Sequence, residues 1–220
     1  MSFSRLYPVL APIFLICSPF VNFASGEEIL PVGDPFVVDT VEAPPATAKS
    51  IRAAWNGENL FGTTWLDNFD GASPFNALAV AFDLDVTFFS DTPLLQPDET
   101  RTAASPDIAS TPDGFLVTYS EEDPEFKVFD VYSSVMNASG VATGGAGPLN
   151  RTYEGVSVSN PRLAEHAEED YLAVWSDRRF VQEPPVEDIF GRRLNAQGEG
   201  LAGEEDFVLT DAIEATIAET

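Results

Sequence analysis

The run Tyr171 to Trp175 (YLAVW) is almost continuously apolar, the pattern of a strand covered on both faces. Before it, Pro161 to Ala164 reads as a short first strand, and His166 to Asp170 as a polar turn. After it, Ser176 to Glu187 is a polar loop broken by Pro184 and Pro185. Asp188 to Leu194 (DIFGRRL) then alternates, with Phe190 and Leu194 on one side. The turn Asn195-Ala196-Gln197-Gly198 leads to a fourth strand at Phe207 to Leu209. The stretch from Asn160 to Asp211 therefore predicts a four-stranded antiparallel meander.

The same pattern occurs earlier in the chain. Ala54, Ala109, Ala164 and Ala218 recur about 55 residues apart, each in a strand of small residues. The buried strand recurs as Phe61 to Trp65 (FGTTW), Phe115 to Tyr119 (FLVTY) and Tyr171 to Trp175, and an acid follows each: Asp67, Glu121 and Asp177. The third strand recurs from Asn76 (NALAVAF), Asp130 (DVYSSVM) and Asp188 (DIFGRRL). A turn follows at one offset in each copy: Asp83-Leu84-Asp85, Asn137-Ala138-Ser139-Gly140 and Asn195 to Gly198. Agreement at four places with one period makes the repeat real. Near the ends, Pro35 to Asp39 resembles the fourth strand of the last copy, and Ala215 to Ala218 resembles a first strand.

Copies carrying YLAVWSDRR and DIFGRRLNAQGEGL resemble the repeats of secreted bacterial β-propellers, over roughly Pro35 to Thr220. The resemblance implies an all-β fold, a partial propeller of about three four-stranded antiparallel blades around an axis. It implies no activity, because one fold serves many functions. The expected organisation is 1–26 signal peptide, 27–49 N-terminal strand and linker, 50–105 blade 1, 106–159 blade 2, 160–214 blade 3, and 215–220 the start of a further blade. Propellers have about 4 to 8 blades, so the chain reads as part of a larger ring or as a partial ring that self-associates through exposed blade edges.

The N-terminus changes the picture of where the chain works. Arg5 precedes the apolar stretch Leu6 to Cys17, and Ala24-Ser25-Gly26 offers the small residues a signal peptidase reads. The expectation is secretion, to the periplasm or the exterior, without a membrane span. Removing 1–26 would take out Cys17, the only cysteine, and leave a core without disulfide or thiol chemistry.

Charge narrows the partners. The chain carries 36 Asp and Glu against 11 Lys and Arg, a net charge of −25. Nucleic acid and anionic lipid would be repelled, which leaves an extracellular protein or a glycan. Such a surface stays soluble where salt screens it.

Candidate chemistry is sparse. The single histidine, His166, lies among Glu165, Glu168 and Glu169 and reads as a solvated turn residue rather than a catalytic base. One histidine and one cysteine cannot build a zinc site. Calcium stays open without a motif: in Asp67-Asn68-Phe69-Asp70-Gly71 the first ligand position of a calcium loop falls on Leu66. Asp67, Glu121 and Asp177 read either as turn carboxylates bonded to backbone N–H groups or as a ring of acids on one rim. Trp65, Tyr119 and Trp175 read as core rather than as a sugar platform. Arg178 and Arg179 stand out in so acidic a chain and could grip a carboxylate or sulfate, or balance neighbouring acids. The site residues expected in the rim loops are thus Asp67, Glu121, Asp177, Arg178 and Arg179. No catalytic residue is assigned. The leading expectation is a non-enzymatic binding scaffold, with a carbohydrate-active hydrolase or lyase, or a calcium-stabilised structural protein, as alternatives.

Overall fold

A computed structural model of the chain describes residues 47–68, 74–85, 87, 95, 100–123, 125–144, 147–150, 158–166, 170–178, 187–202 and 205–210. The signal-peptide, N-terminal-strand and further-blade expectations, and Arg179, lie outside the described residues.

The chain is all-β, and its described residues form three antiparallel meanders. The first sheet runs β1 (Ala48–Trp55), β2 (Leu60–Asp67), β3 (Asn76–Asp83). The second runs β4 (Ala103–Thr111), β5 (Gly114–Glu122), β6 (Phe129–Asn137), β7 (Ala142–Gly144). The third runs β8 (Val158–His166), β9 (Asp170–Asp177), β10 (Asp188–Leu194), β11 (Phe207–Val208). Among the described residues there is no helix, and so none long and apolar enough to cross a membrane. The first strands begin at Ala48, Ala103 and Val158, slightly ahead of the blade boundaries expected at 50, 106 and 160.

A backbone irregularity explains that offset. Ser50, Ser105 and Asn160 all have positive φ (58°, 50° and 53°), and the pairing register shifts at each of them. Each is a β-bulge that kinks the first strand and lets pairing continue upstream. Small or amide-bearing residues occupy these positions because a left-handed conformation penalises bulky side chains. The bulge carries the repeat in backbone geometry as well as in side chains.

The sheets stack in chain order through interdigitated cores. Between the first and second lie Leu66, Ala79, Phe115, Val117, Tyr119 and Met136. Gly62 makes that contact close: a Cβ there would stand 2.7 Å from the Phe115 ring, itself fully buried. Between the second and third lie Leu116, Leu149, Tyr171, Ala173, Trp175 and Leu194. The far face of the first sheet carries Trp65, Leu78, Val80 and Phe82, with Phe61 stacked on Phe82 at 5.6 Å. The aromatic series Trp65, Tyr119 and Trp175 is therefore core.

One expectation about coverage needs correcting. β5 is buried on both faces along nearly its whole length, but β9 alternates between buried and half-buried. Tyr171, Ala173 and Trp175 face the second sheet, while Leu172, Val174 and Ser176 face away from it and are half-exposed. The apolar composition of YLAVW suits a two-sided strand, but no described sheet covers its second side.

Turns at one offset share a mechanism. The side-chain oxygens of Asp83, Asn137 and Asn195 each accept the N–H groups two and four residues on, at 2.8–3.0 Å. Gly198 completes the third turn with φ of 75°. Asn195→Ala removes both bonds from the β10 turn, so urea unfolding should show a loss of about 1 kcal/mol. Asn195→Asp, which keeps the acceptor oxygen, should lose much less.

Candidate functional site

The acids singled out by the repeat do not stand on an exposed rim. Asp67 closes β2, Glu121 is the last but one residue of β5 and Asp177 closes β9, and they are 3, 0 and 1 % exposed. Each faces the first or second residue of the next strand: Asp67 pairs with Asn76, Glu121 with Asp130, and Asp177 with Asp188. These partners are buried as well. One end of every sheet thus carries a buried cross-strand polar pair, and in the second and third sheets both members are carboxylates.

Buried carboxylates require local compensation. Glu121 takes a 2.9 Å ion pair with Arg101. Burial works against the charge on Arg101, but its bond to Glu121 and the attraction between them outweigh that, and the guanidinium is held above its usual value. Asn150 clamps the end of β6: its amide donates to Asp130 at 2.8 Å, and its side-chain oxygen accepts Val131 N–H at 2.7 Å. Trp175 Nε1 donates to Asp177 at 3.4 Å, so a core aromatic orients the third acid. Burial, with Glu121 close by, pushes the Tyr119 hydroxyl well above its usual value; it donates to the Leu95 carbonyl at 3.3 Å.

Sequence reasoning named the acids but not the part that Arg101 and Asn150 play beside them. Neither belongs to a repeated strand. Arg101 precedes β4 and Asn150 follows β7, where the copies share no pattern. A signal was present in composition: an arginine is conspicuous in a chain with so few cations.

A second kind of polar contact ties the first strands together. Asp107 on β4 accepts the Leu163 N–H of β8 at 2.9 Å and lies 3.8 Å from Arg52 of β1. The Ser105 hydroxyl donates to Asn160 at 3.3 Å, and the Ser110 hydroxyl to Glu165 at 2.9 Å, each pair separated by 55 residues in sequence. Equivalent positions in successive copies therefore meet side by side along the edge of the stack. His166 ends β8, its backbone paired with Asp170.

The structure leaves Arg178 exposed, immediately beyond β9. Its Nε donates to Glu187 at 2.6 Å, and its Nη2 bonds the same oxygen. The Ser176 hydroxyl donates to the other oxygen of Glu187 at 2.8 Å. These bonds hold Glu187 below its usual value of 4.5, the Ser176 hydroxyl having the largest influence and Arg178 the next. Because that value is depressed, the contact is fully present above the ordinary glutamate range and is lost as pH falls through the lowered value. With Ser159, these residues line a shallow cleft of about 190 Å³ at the end of the third sheet. Among the described residues, no group of His, Cys, Asp and Glu side chains is arranged to hold a metal ion. No family model, no curated protein and no solved structure matches the chain.

Proposed function

We propose that the chain is a secreted repeat scaffold of the β-propeller type, which works by binding an extracellular glycan or protein at the loops between second and third strands. The observation behind this reading is the placement of Asp67, Glu121 and Asp177. These acids are buried in their own sheets, each opposite a buried polar residue of the next strand, and so are not open to a ligand. What remains for a ligand is the ground beyond those pairs, where Arg178 and Glu187 are exposed and able to re-pair with a carboxylate, sulfate or hydroxyl group.

The test uses the full chain and immobilised polysaccharides of two classes, acidic (alginate, pectin, dextran sulfate) and neutral (chitin, xylan). In salt that screens the chain's own negative charge, retention on the acidic class without release of reducing ends, weakened several-fold in Arg178→Ala, is the expected result. Release of reducing ends that Asp177→Asn abolishes would establish the hydrolase or lyase reading instead. Absence of retention on both classes would also overturn the glycan half of the proposal.

A further inference from the structure

The outer face of the third sheet has no covering sheet among the described residues, and its chemistry is arranged in bands. Down the middle run Val174 and Leu172 of β9 and Ile189 of β10, all half-buried. Gly191 leaves a depression there, filled from the side: a Cβ on it would meet Phe207 and Leu209, each at 3.3 Å. Phe207 and Leu209 are 39 % and 49 % exposed. The ends of the band are closed by ion pairs, Arg178–Glu187 at one and Arg193–Asp170 at the other.

The two long edges carry opposite charge. On β8, Arg162 is level with Val174, and Val174 with Gly191, which pairs in turn with Phe207 on β11. Arg162 is exposed, and its Nη1 donates to the carbonyl of its neighbour Pro161 at 2.7 Å. Its counterpart in the first sheet, Arg52, reaches the carboxylate of Asp107 on the adjoining sheet. On the opposite edge, the exposed Glu205 stands just before β11, two residues from Phe207.

A positive edge, an apolar middle and a negative edge are self-complementary. A twofold axis parallel to the strands lays β8 of one copy over β11 of the other and superposes the apolar bands. Sheets stacked face to face keep their strands within about 30° of each other, which leaves Arg162 of each copy within reach of the partner's acidic edge. We infer that this face is the interface of a twofold homodimer, in which Arg162 pairs with Glu205 across the contact and Val174, Leu172, Ile189 and Phe207 form its core. The occupant is a second copy because the charge order fits its own reversal. An isologous contact also buries the face on both partners at once and closes. The inference stands apart from the scaffold reading: a dimer could bind glycan or not.

The net charge of −25 on each copy sets the conditions. Repulsion opposes association at low ionic strength and is screened as the Debye length falls to about 3 Å at 1 M salt. The dimer should therefore tighten with added NaCl.

The test is sedimentation equilibrium of the full chain from low micromolar concentration to a few hundred micromolar, with and without salt. Wild type is expected to dimerise. Arg162→Glu and Glu205→Arg should each weaken the dimer at least about ten-fold, because like charges brought together at an interface are strongly unfavourable. The double swap should recover most of the loss, and Val174→Glu should leave a monomer. Near-UV circular dichroism checks that each variant keeps its tryptophan environment. A monomer at every concentration and salt overturns the inference, whether or not the face then takes a different protein. So does a dimer whose affinity ignores Arg162, Glu205 and Val174, or one that the double swap does not rescue.

Discussion

Trp175→Ala should be among the most damaging single substitutions in the chain, with a loss of about 3–5 kcal/mol in urea unfolding. The side chain is 1 % exposed and sits between the second and third sheets with Leu116, Leu149 and Phe190. Truncation forfeits its transfer energy and leaves a cavity that two rigid sheets cannot close. It also removes the N–H that meets Asp177, so a buried carboxylate loses a donor. Trp175→Phe separates the two effects, keeping most of the volume and losing the donor. Trp55 provides the control. It is 53 % exposed and stacks on Phe61 at 6.3 Å, so Trp55→Ala should cost about 1 kcal/mol or less. Equal losses at the two tryptophans would contradict the stacking of the second and third sheets described above.

What the sequence disclosed, and what it withheld, follows from which interactions are periodic. The aromatic that ends each buried strand, the small-residue first strand and the Asx turn after the third strand are each dictated by local pattern. Trp175, Ala109 and Asn195 therefore land where repetition puts them. The bulges at Ser50, Ser105 and Asn160 repeat just as strictly, yet nothing in the alternation of apolar and polar residues marks a backbone twist. Burial at the sheet ends is hidden from the sequence for a related reason. An acid after an apolar strand reads as the start of a loop, and only strand pairing shows that Glu121 lies opposite Asp130 with Asn150 closing over it. Coverage is the least local property of all. YLAVW and FLVTY look alike in composition, but among the described residues β5 lies between two sheets and β9 has a neighbouring sheet on one side.

The last expectation concerns an arginine that no repeat marks. Arg101→Leu should destabilise the chain by about 3–5 kcal/mol, the usual cost of removing one partner from a buried ion pair. The cause lies with Glu121, whose side chain is fully buried while that of Arg101 keeps 27 % of its surface. Without the guanidinium, Glu121 is a carboxylate inside the sheet, beside Tyr119 and Tyr132 and across from Asp130. The sign with pH follows from the direction of each shift. Arg101 is a base held above its usual value, so its contribution is fully present below that value, throughout the working range. The variant behaves differently, since a buried acid that has lost a guanidinium partner gains from protonation. Its deficit against wild type should shrink as pH is lowered through the acid range, and Arg101→Leu with Glu121→Gln should recover most of the loss at neutral pH. If Arg101→Leu is neutral, or the double variant is no better than the single, then Glu121 is not stabilised by this pair, and the structural role given to the repeated acids fails in the second sheet, where it is most fully developed.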